Sequence, residues 1–500
     1  MAKTYILAVD QSTSGTKALV VDASGAIAAK AAKEHKQHYP APGWVEHDPL
    51  EIYENVKWTM REAVERAGIS AGELAAVTIT NQRETAVVWD AESGQPIHHA
   101  IVWQCQRTAD LCERYREEGH EELVRELTGL KIDPYFSGTK FRWLLSHAAG
   151  ARDGLAAGRL MAGTMDSWLV WKLTGGKVHA TDLTNASRTL LFNIHTLQWD
   201  DRLLDLFGVR RGLLPAPLPS DGFFGFAEDV WPDAKVPITG VIGDSHAALF
   251  GQMCWQPGKA KATYGTGTSL MMNVGDRPAA TGDGLVSTIA WGLRGRTVYA
   301  LESVIRTSGD TIRWVRDQLG LFETYGELEQ WMERTPSNDG VYLVPAFVGM
   351  GAPYWDPYAR AAIVGMSRSA HKGHVMRAAL ESIAYQVRDA VELMQAESGI
   401  ALEELYADGG ASDNAALMQF QSDMLGRRVI RLGRSEYSAL GSAMIGGIAV
   451  GFWDARDFRP FRPTERTVYS PRMDDGERER LYRGWKQAVA MVVHRRARTE

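Results

Sequence analysis

A two-domain α/β protein is the fold this sequence predicts, on three observations. Apolar and β-branched runs bounded by turn residues alternate with helical periodicities. A length of 500 residues exceeds what one compact core holds, so two or more domains of roughly 100 to 250 residues are expected. Three polar, glycine-rich turns interrupt apolar strands at wide separation, one in the first half and two in the second. The spacing hints at two related domains facing one cleft.

The first strand, Tyr5–Val9, stops on a carboxylate, Asp10. The stretch AVDQSTSGTKA then spends hydroxyls, a glycine and a lysine before a second strand, Ala18–Val21. A tight hairpin needs only two turn residues, so this longer polar turn is expected to hold a ligand. Asp48 before Pro49 starts a helix, with Glu51 three residues on as the other half of a capping box. Leu50, Tyr53, Val56, Met60 and Val64 recur at helical spacing until Gly68 ends the run. Ala75–Thr80 and Thr85–Trp89 read as strands. The second polar turn lies in KATYGTGTSLMMN, Lys261 to Asn273. A strong helix follows over Val375–Met394, where Val375, Ala379, Ile383, Val387 and Val391 share a face, and the third turn is YADGGASDNA, Tyr406 to Ala415. Tyr437–Trp453 is apolar but rich in Gly, Ala and Ser and just under spanning length, which reads as a buried helix rather than a membrane span.

With 55 basic and 61 acidic residues, a net charge of -6 carries no footprint for nucleic acid or an anionic membrane. The basic tail His494–Arg498 reads as a solvated terminus. Three cysteines, Cys105, Cys112 and Cys254, have neither CxxC nor Cys/His spacing, which argues against a disulfide framework and a structural zinc. The first apolar run stops at Asp10, too short for a signal peptide, so a reducing cytoplasm is expected.

Backbone N–H groups in turns of this kind, with hydroxyls beside them, make anion nests, and their shared meaning is phosphate. Each turn alone reads equally as an ordinary loop. GxxxxGK[ST] is absent, as are the HRD and DFG pair and GxGxxG, which excludes a P-loop NTPase and a protein kinase and weakens a dinucleotide site.

Longer motifs then carry a resemblance: GWVEHDP at Gly43, ITNQRET at Ile79, AIVWQC at Ala100, DPYFSGTK at Asp133, TNASRT at Thr184, FVGMGAPYWDPYARAAI at Phe347, ALESIAYQ at Ala379, LMQFQSDMLG at Leu417 and AVGFW at Ala449. The chain resembles the FGGY family of carbohydrate kinases, most strongly its glycerol-phosphorylating branch, from the first strand almost to the last helix. The resemblance implies two ribonuclease H-like domains of the actin and hexokinase type around a central catalytic cleft. Residues 1–248 would bind polyol and phosphate, and 249–500 the nucleotide. It implies ATP and Mg²⁺, a small-molecule polyol as partner, no nucleic acid, no membrane insertion, and assembly as a homodimer or homotetramer.

By the same resemblance Asp10 and Asp244 hold the metal, Asp10 through water, and Ser12, Thr13, Ser14, Gly15 and Lys17 meet the phosphates. Lys17 stands where the family usually has arginine, keeping charge but losing a bidentate fork. Asp244 in VIGDSHAALFG matches the catalytic base; read without the resemblance it would cap the following helix, with His246 as a rival base. Arg83, Glu84, Trp103 and Tyr135 match the polyol pocket. Thr266, Gly309, Gly410 and Asn414 match nucleotide positions, and Arg313 replaces a glutamine there.

Two departures fall in the polyol pocket: Ser245 for a glutamine, and Ser269 for an aromatic whose burial is worth about 1.5 to 3 kcal/mol. Both enlarge the pocket, so a substrate longer than glycerol, such as a tetritol, is expected to fit. The segment Pro219–Val236 lacks both the GGxGxR loop and the phosphorylatable histidine through which many bacterial relatives are regulated, so neither fructose 1,6-bisphosphate control nor phosphorylation is expected there. Competing readings are a xylulose-type ketopentose kinase, favoured by SGTK and opposed by the Arg83, Glu84, Trp103, Tyr135 set, and an actin-like ATPase switch, which needs no acceptor site.

Overall fold

In the computed structural model, residues 3–282, 284–351, 353–354, 356, 358–433, 436–454 and 466–493 are described, and the basic tail His494–Arg498 lies outside them. The N-terminal half opens with an antiparallel meander, β1 (Tyr5–Gln11), β2 (Gly15–Asp22) and β3 (Ile27–Glu34). Helix α1 (Pro49–Arg66) follows, then β4 (Leu74–Asn81) parallel to β1 and β5 (Ile238–Gly243) parallel to β4. The sheet order is β5-β4-β1-β2-β3.

β1 reads as unbroken apolar sequence because both of its faces are covered. Leu7 and Val9 pack with Ile52, Val56 and Met60 of α1, while Ile6 and Ala8 pack on the opposite face with Ala247, Leu440 and Met444. The side chain of Asp48 accepts from the Leu50 amide at 2.9 Å and caps α1. The expected capping box is not completed, because the Glu51 carboxylate instead accepts from the Lys36 amide at 3.3 Å. Gly68, at φ +66, turns the chain out of the helix.

A long excursion separates β4 from β5. Its strands Ala86–Asp90, Ala100–Ile101 and Leu160–Thr164 form a four-stranded sheet with Glu46–His47, which precedes α1. Trp103 and Tyr135 sit on loops beside that sheet.

β5 runs into α2 (Asp244–Gly251), so the expected division at 248 falls within a helix. The C-terminal half then supplies β6 (Lys259–Tyr264), β7 (Thr268–Gly275), β8 (Val286–Leu293), β9 (Arg296–Ile305), α3 (Gly309–Asp317) and the long α4 (Lys372–Ser398). After these come β10 (Glu404–Asp408), α5 (Ala415–Leu425), β11 (Arg428–Leu432), α6 (Tyr437–Ala449) and β12 (Arg466–Tyr469). Its sheet is ordered β8-β9-β7-β6-β10-β11-β12. The run β9-β7-β6-β10-β11 repeats β3-β2-β1-β4-β5 in order and strand direction. The two halves are thus related, as the distribution of polar turns suggests.

α6 is the stretch weighed above against a membrane span. It is buried, and among the described residues no helix is long and apolar enough to cross a membrane. It leaves the C-terminal sheet and packs on α2 and on the N-terminal sheet, where Ser442 and Thr78 share a hydroxyl hydrogen bond of 3.0 Å. Its small residues are what permit this. A Cβ on Gly441 would stand 1.9 Å from the Ala247 carbonyl oxygen, and one on Gly240, at φ +65, 2.6 Å from the backbone of Ser442 and Gly446. Gly441→Ala must push two backbones apart, at a cost of about 1–3 kcal/mol. A lowered urea midpoint at unchanged m-value is the expected result.

Candidate active site

The strand ends of both halves open onto a cavity of about 680 Å³ lined by Asp10, Lys17, Asp244, Ser245, Lys261 and Ser269 among others. Strand alternation aims these groups. Asp10 continues the face of Ile6 and Ala8, towards α2 and α6. Burial, and next the negative charge of Asp244, push the Asp10 carboxyl up to about 7 against the opposing pull of Lys17. Asp244 opens α2; its Oδ1 accepts from the Ser245 amide at 2.6 Å and lies 3.2 Å from Arg83 Nε. His246 is fully buried, with Nε2 3.2 Å from the Thr288 hydroxyl. Burial, aided by Arg83 and Arg188, holds it well below the usual histidine range, so it is a neutral packed side chain.

In the first polar turn two hydroxyls already have partners. Ser12 Oγ donates to the Gly15 carbonyl at 2.9 Å, and Thr13 Oγ1 accepts from Trp103 Nε1 at 2.9 Å. The Ser14 carbonyl accepts from the His35 amide at 3.3 Å. Gly15 is required by β3, because a Cβ there would lie 2.9 Å from the Lys33 carbonyl oxygen. Lys17 lines the cavity, but its ammonium is 2.9 Å from Glu436, which also pairs with Lys30.

Arg83 and Glu84, which read alone as a surface pair, are 6% and 1% exposed. Arg188 Nε donates to Glu84 Oε1 at 2.6 Å; Arg188 Nη2 stands 2.7 Å from Glu302 Oε2, and Arg83 Nη2 donates to Glu302 Oε1 at 2.9 Å. Burial alone would lift Glu302, yet Arg188 and Arg83 hold it far below the carboxylate range. Glu84 takes φ +60, a backbone strain characteristic of functional positions. Trp103 meets the Tyr135 ring edge-on at 5.4 Å. Neither Arg83 Nη1 nor Arg188 Nη1 has a hydrogen-bond partner among the described residues, and the same holds for Ser269 Oγ. Sequence reading missed Glu302 and the role of Arg188. Arg188 lies inside TNASRT; Glu302 is a charge in the middle of the apolar strand YALESVI, which is itself a signal.

A second cavity of about 540 Å³ is lined by Thr266, Gly309, Arg313, Gly410 and Asn414, together with apolar Ile312, Leu328 and Leu417. Gly410 and Asp413 line both cavities, so the two adjoin. Asn414 caps α5 by accepting from the Leu417 amide at 2.8 Å, and Arg313 Nη2 donates to Thr266 Oγ1 at 2.9 Å. A Cβ on Gly309 would meet the Gly265 carbonyl oxygen at 2.6 Å, so the start of α3 lies against the second polar turn.

A duplicated ribonuclease H-like fold, with a charged cavity between its halves and an apolar-walled cavity adjoining it in the C-terminal half, is the architecture of a two-lobed nucleotide-dependent kinase. The chain matches the FGGY family of carbohydrate kinases, its N-terminal domain over residues 5–251 and its C-terminal domain over 260–450. It belongs to that family, and is an ATP-dependent carbohydrate kinase. It is 49% identical over 487 residues to the glycerol kinase of Pseudomonas entomophila, covering 97% of each chain. It is equally 49% identical over 488 residues to glycerol kinase 2 of Thermotoga maritima, covering 97% of this chain and 98% of that one. Plasmodium falciparum glycerol kinase with ADP superposes with a TM-score of 0.94 at 34% identity over 99% of both chains. The xylulose kinase of Rhodospirillum rubrum, at TM-score 0.87 and 21% identity over 97% of this chain and 98% of that one, shares the fold.

Glu302→Ala would strand Arg83 and Arg188 as buried cations short of a carboxylate. A loss of about 3–5 kcal/mol in urea unfolding is expected, and wild-type stability in this variant would show the network to be idle.

Proposed function

We propose that this kinase transfers the γ-phosphoryl group of ATP to a terminal hydroxyl of a small polyol, converting glycerol to glycerol 3-phosphate. The observation that carries the reading is the juxtaposition of Asp244 with Arg83: a half-buried carboxylate facing the cavity, 3.2 Å from a guanidinium that keeps one nitrogen unpaired. The identity to relatives named glycerol kinase supports it.

In this reading Arg83 and Glu84 bind the polyol hydroxyls, and Trp103 and Tyr135 wall its carbon chain. The acceptor oxygen gives its proton to Asp244 as it bonds to the γ-phosphorus, and the β–γ bridging oxygen leaves on ADP with the bond's electron pair. Asp10 and Asp244 fit Mg²⁺: they are hard oxygen donors whose mutual repulsion a dication relieves. Among the described residues no group of three or more His, Cys, Asp or Glu side chains gathers as a metal site, so phosphate oxygens and water would complete the ligand set. When bound, the ion would neutralise charge on the β and γ oxygens. Thr266, Gly309, Gly410, Asn414 and Arg313 would hold the nucleotide, with its phosphates running past Gly410 towards the Ser12–Lys17 turn. The cysteines are free and buried, in keeping with a reducing cytoplasm.

Ser245 and Ser269 line the cavity in place of larger side chains. A further hollow of about 150 Å³ lies beside Tyr135, Arg188 and Glu302. Both favour acceptors longer than glycerol. In a coupled assay of ADP release we expect glycerol to be phosphorylated and erythritol or threitol to reach a kcat/KM within about 200-fold of it, since one methylene is worth about 1 to 3 kcal/mol, roughly 10- to 200-fold. A glycerol preference above about a thousandfold would remove the tetritols, and a panel with no turnover would remove the reading. Asp244→Asn is expected to lower kcat by about 10²- to 10⁴-fold. Millimolar fructose 1,6-bisphosphate is expected to leave the rate unchanged, and a clear drop would contradict the reading of Pro219–Val236.

A further inference from the structure

Three cations, Lys17, Lys261 and Arg431, line the larger cavity. Lys17 is spent on Glu436 and Arg431 on Asp413. Lys261 is different. Its side chain is 2% exposed, and among the described residues its one hydrogen bond is to Thr263 Oγ1 at 3.0 Å, with no carboxylate at ion-pair distance. Strand geometry explains where it points. Lys261 and Thr263 alternate on β6, paired with Met271 and Ser269 of β7, and Met271 pairs with Glu302 of β9. These side chains therefore share the sheet face that looks into the cleft towards Asp244 and Arg83.

A buried ammonium without a counter-ion is costly, and proteins keep one only where something compensates it. Burial lowers its affinity for the proton, opposed by the more distant Asp408, Asp244 and Glu302 and reinforced by Arg83. Two ammonium hydrogens remain free, at the wall of the cavity into which the γ-phosphate must reach. Phosphoryl transfer spreads negative charge over the equatorial oxygens, where a preplaced donor in a dry site acts most strongly.

We infer that Lys261 is a catalytic residue whose ammonium binds the γ-phosphoryl oxygens of ATP and stabilises them during transfer, the nucleotide itself being its missing counter-ion. This rests on the kinase reading above and adds to it a residue with a separate signature. Lys261→Met should lower kcat by about 10²-fold or more, leave the polyol KM within about threefold, and weaken Mg·ATP binding by about tenfold, a single charged hydrogen bond, with Mg·ADP binding unchanged by calorimetry. Lys261→Arg should recover part of the rate. The melting temperature of nucleotide-free Lys261→Met should equal or exceed that of wild type, because a buried uncompensated charge is removed.

A kcat within threefold of wild type, an equal loss of ATP and ADP affinity, or a variant that melts lower or does not fold would each overturn the inference and make Lys261 a structural partner of Thr263. A wild-type enzyme that phosphorylates no polyol would end the polyol reading, while the contrast between ATP and ADP affinity would still decide Lys261.

Discussion

Glu84, Arg188, Glu302 and Arg83 form an alternating row of buried charges that neither half of the molecule can satisfy alone. Three come from the N-terminal half, and the fourth, Glu302, arrives on β9 of the other sheet. Taking such ions out of water is recovered only when each finds its opposite in good geometry. The relative placement of the two sheets is therefore tied to the geometry of the pocket around Arg83 and Glu84, and the row ends on Asp244. A pocket assembled this way holds its polar groups ready before any ligand arrives, which is what recognition of several hydroxyls requires.

The second tie is made of small residues rather than charge. α6 belongs in sequence to the C-terminal half, yet it lies against α2 and the N-terminal sheet, with Gly441 and Gly446 letting backbones meet. α2 carries Asp244 at its first residue. The helix pair thus fixes Asp244 from behind while the ion row fixes it from the front. This explains why a stretch apolar enough to suggest a membrane span is instead a packing surface: its glycines and alanines serve close approach, and a hydroxyl bond joins the halves through Ser442 and Thr78.

Much of this was legible in the sequence, for physical reasons that differ by element. β1 and α4 were readable because burial imposes uniform or four-spaced apolarity on them, and the three polar turns because a strand that ends in hydroxyls and glycine is unusual. Glu302 and Lys261 were harder to read. Each is a charged residue in the interior of a strand, which marks it as unusual, but nothing local says which partner it meets across the cleft. The turn around Ser12 misleads in the opposite way: its hydroxyls look free in sequence, but the fold commits Ser12 to Gly15 and Thr13 to Trp103. The Glu51 half of the capping box fails likewise, since a neighbouring segment, at Lys36, competes for the carboxylate.

The allocation of cations around the larger cavity follows from the same competition. A lysine on the exposed side of the cleft, such as Lys17, can reach Glu436 and is neutralised by the protein itself. Its departure from arginine costs little there, because a point charge suffices for a carboxylate shared with Lys30. Lys261, on the sheet floor, has no such reach: its neighbours along β6 and β7 are Thr263, Met271 and Ser269. The strand that positions it also denies it a carboxylate, so its charge is left for whatever enters the cavity. Asp10 and Asp244, which line the same cavity, repel one another. One unneutralised ammonium and one repelling carboxylate pair suit an anion and a dication together, the two parts of the metal-bound nucleotide proposed above.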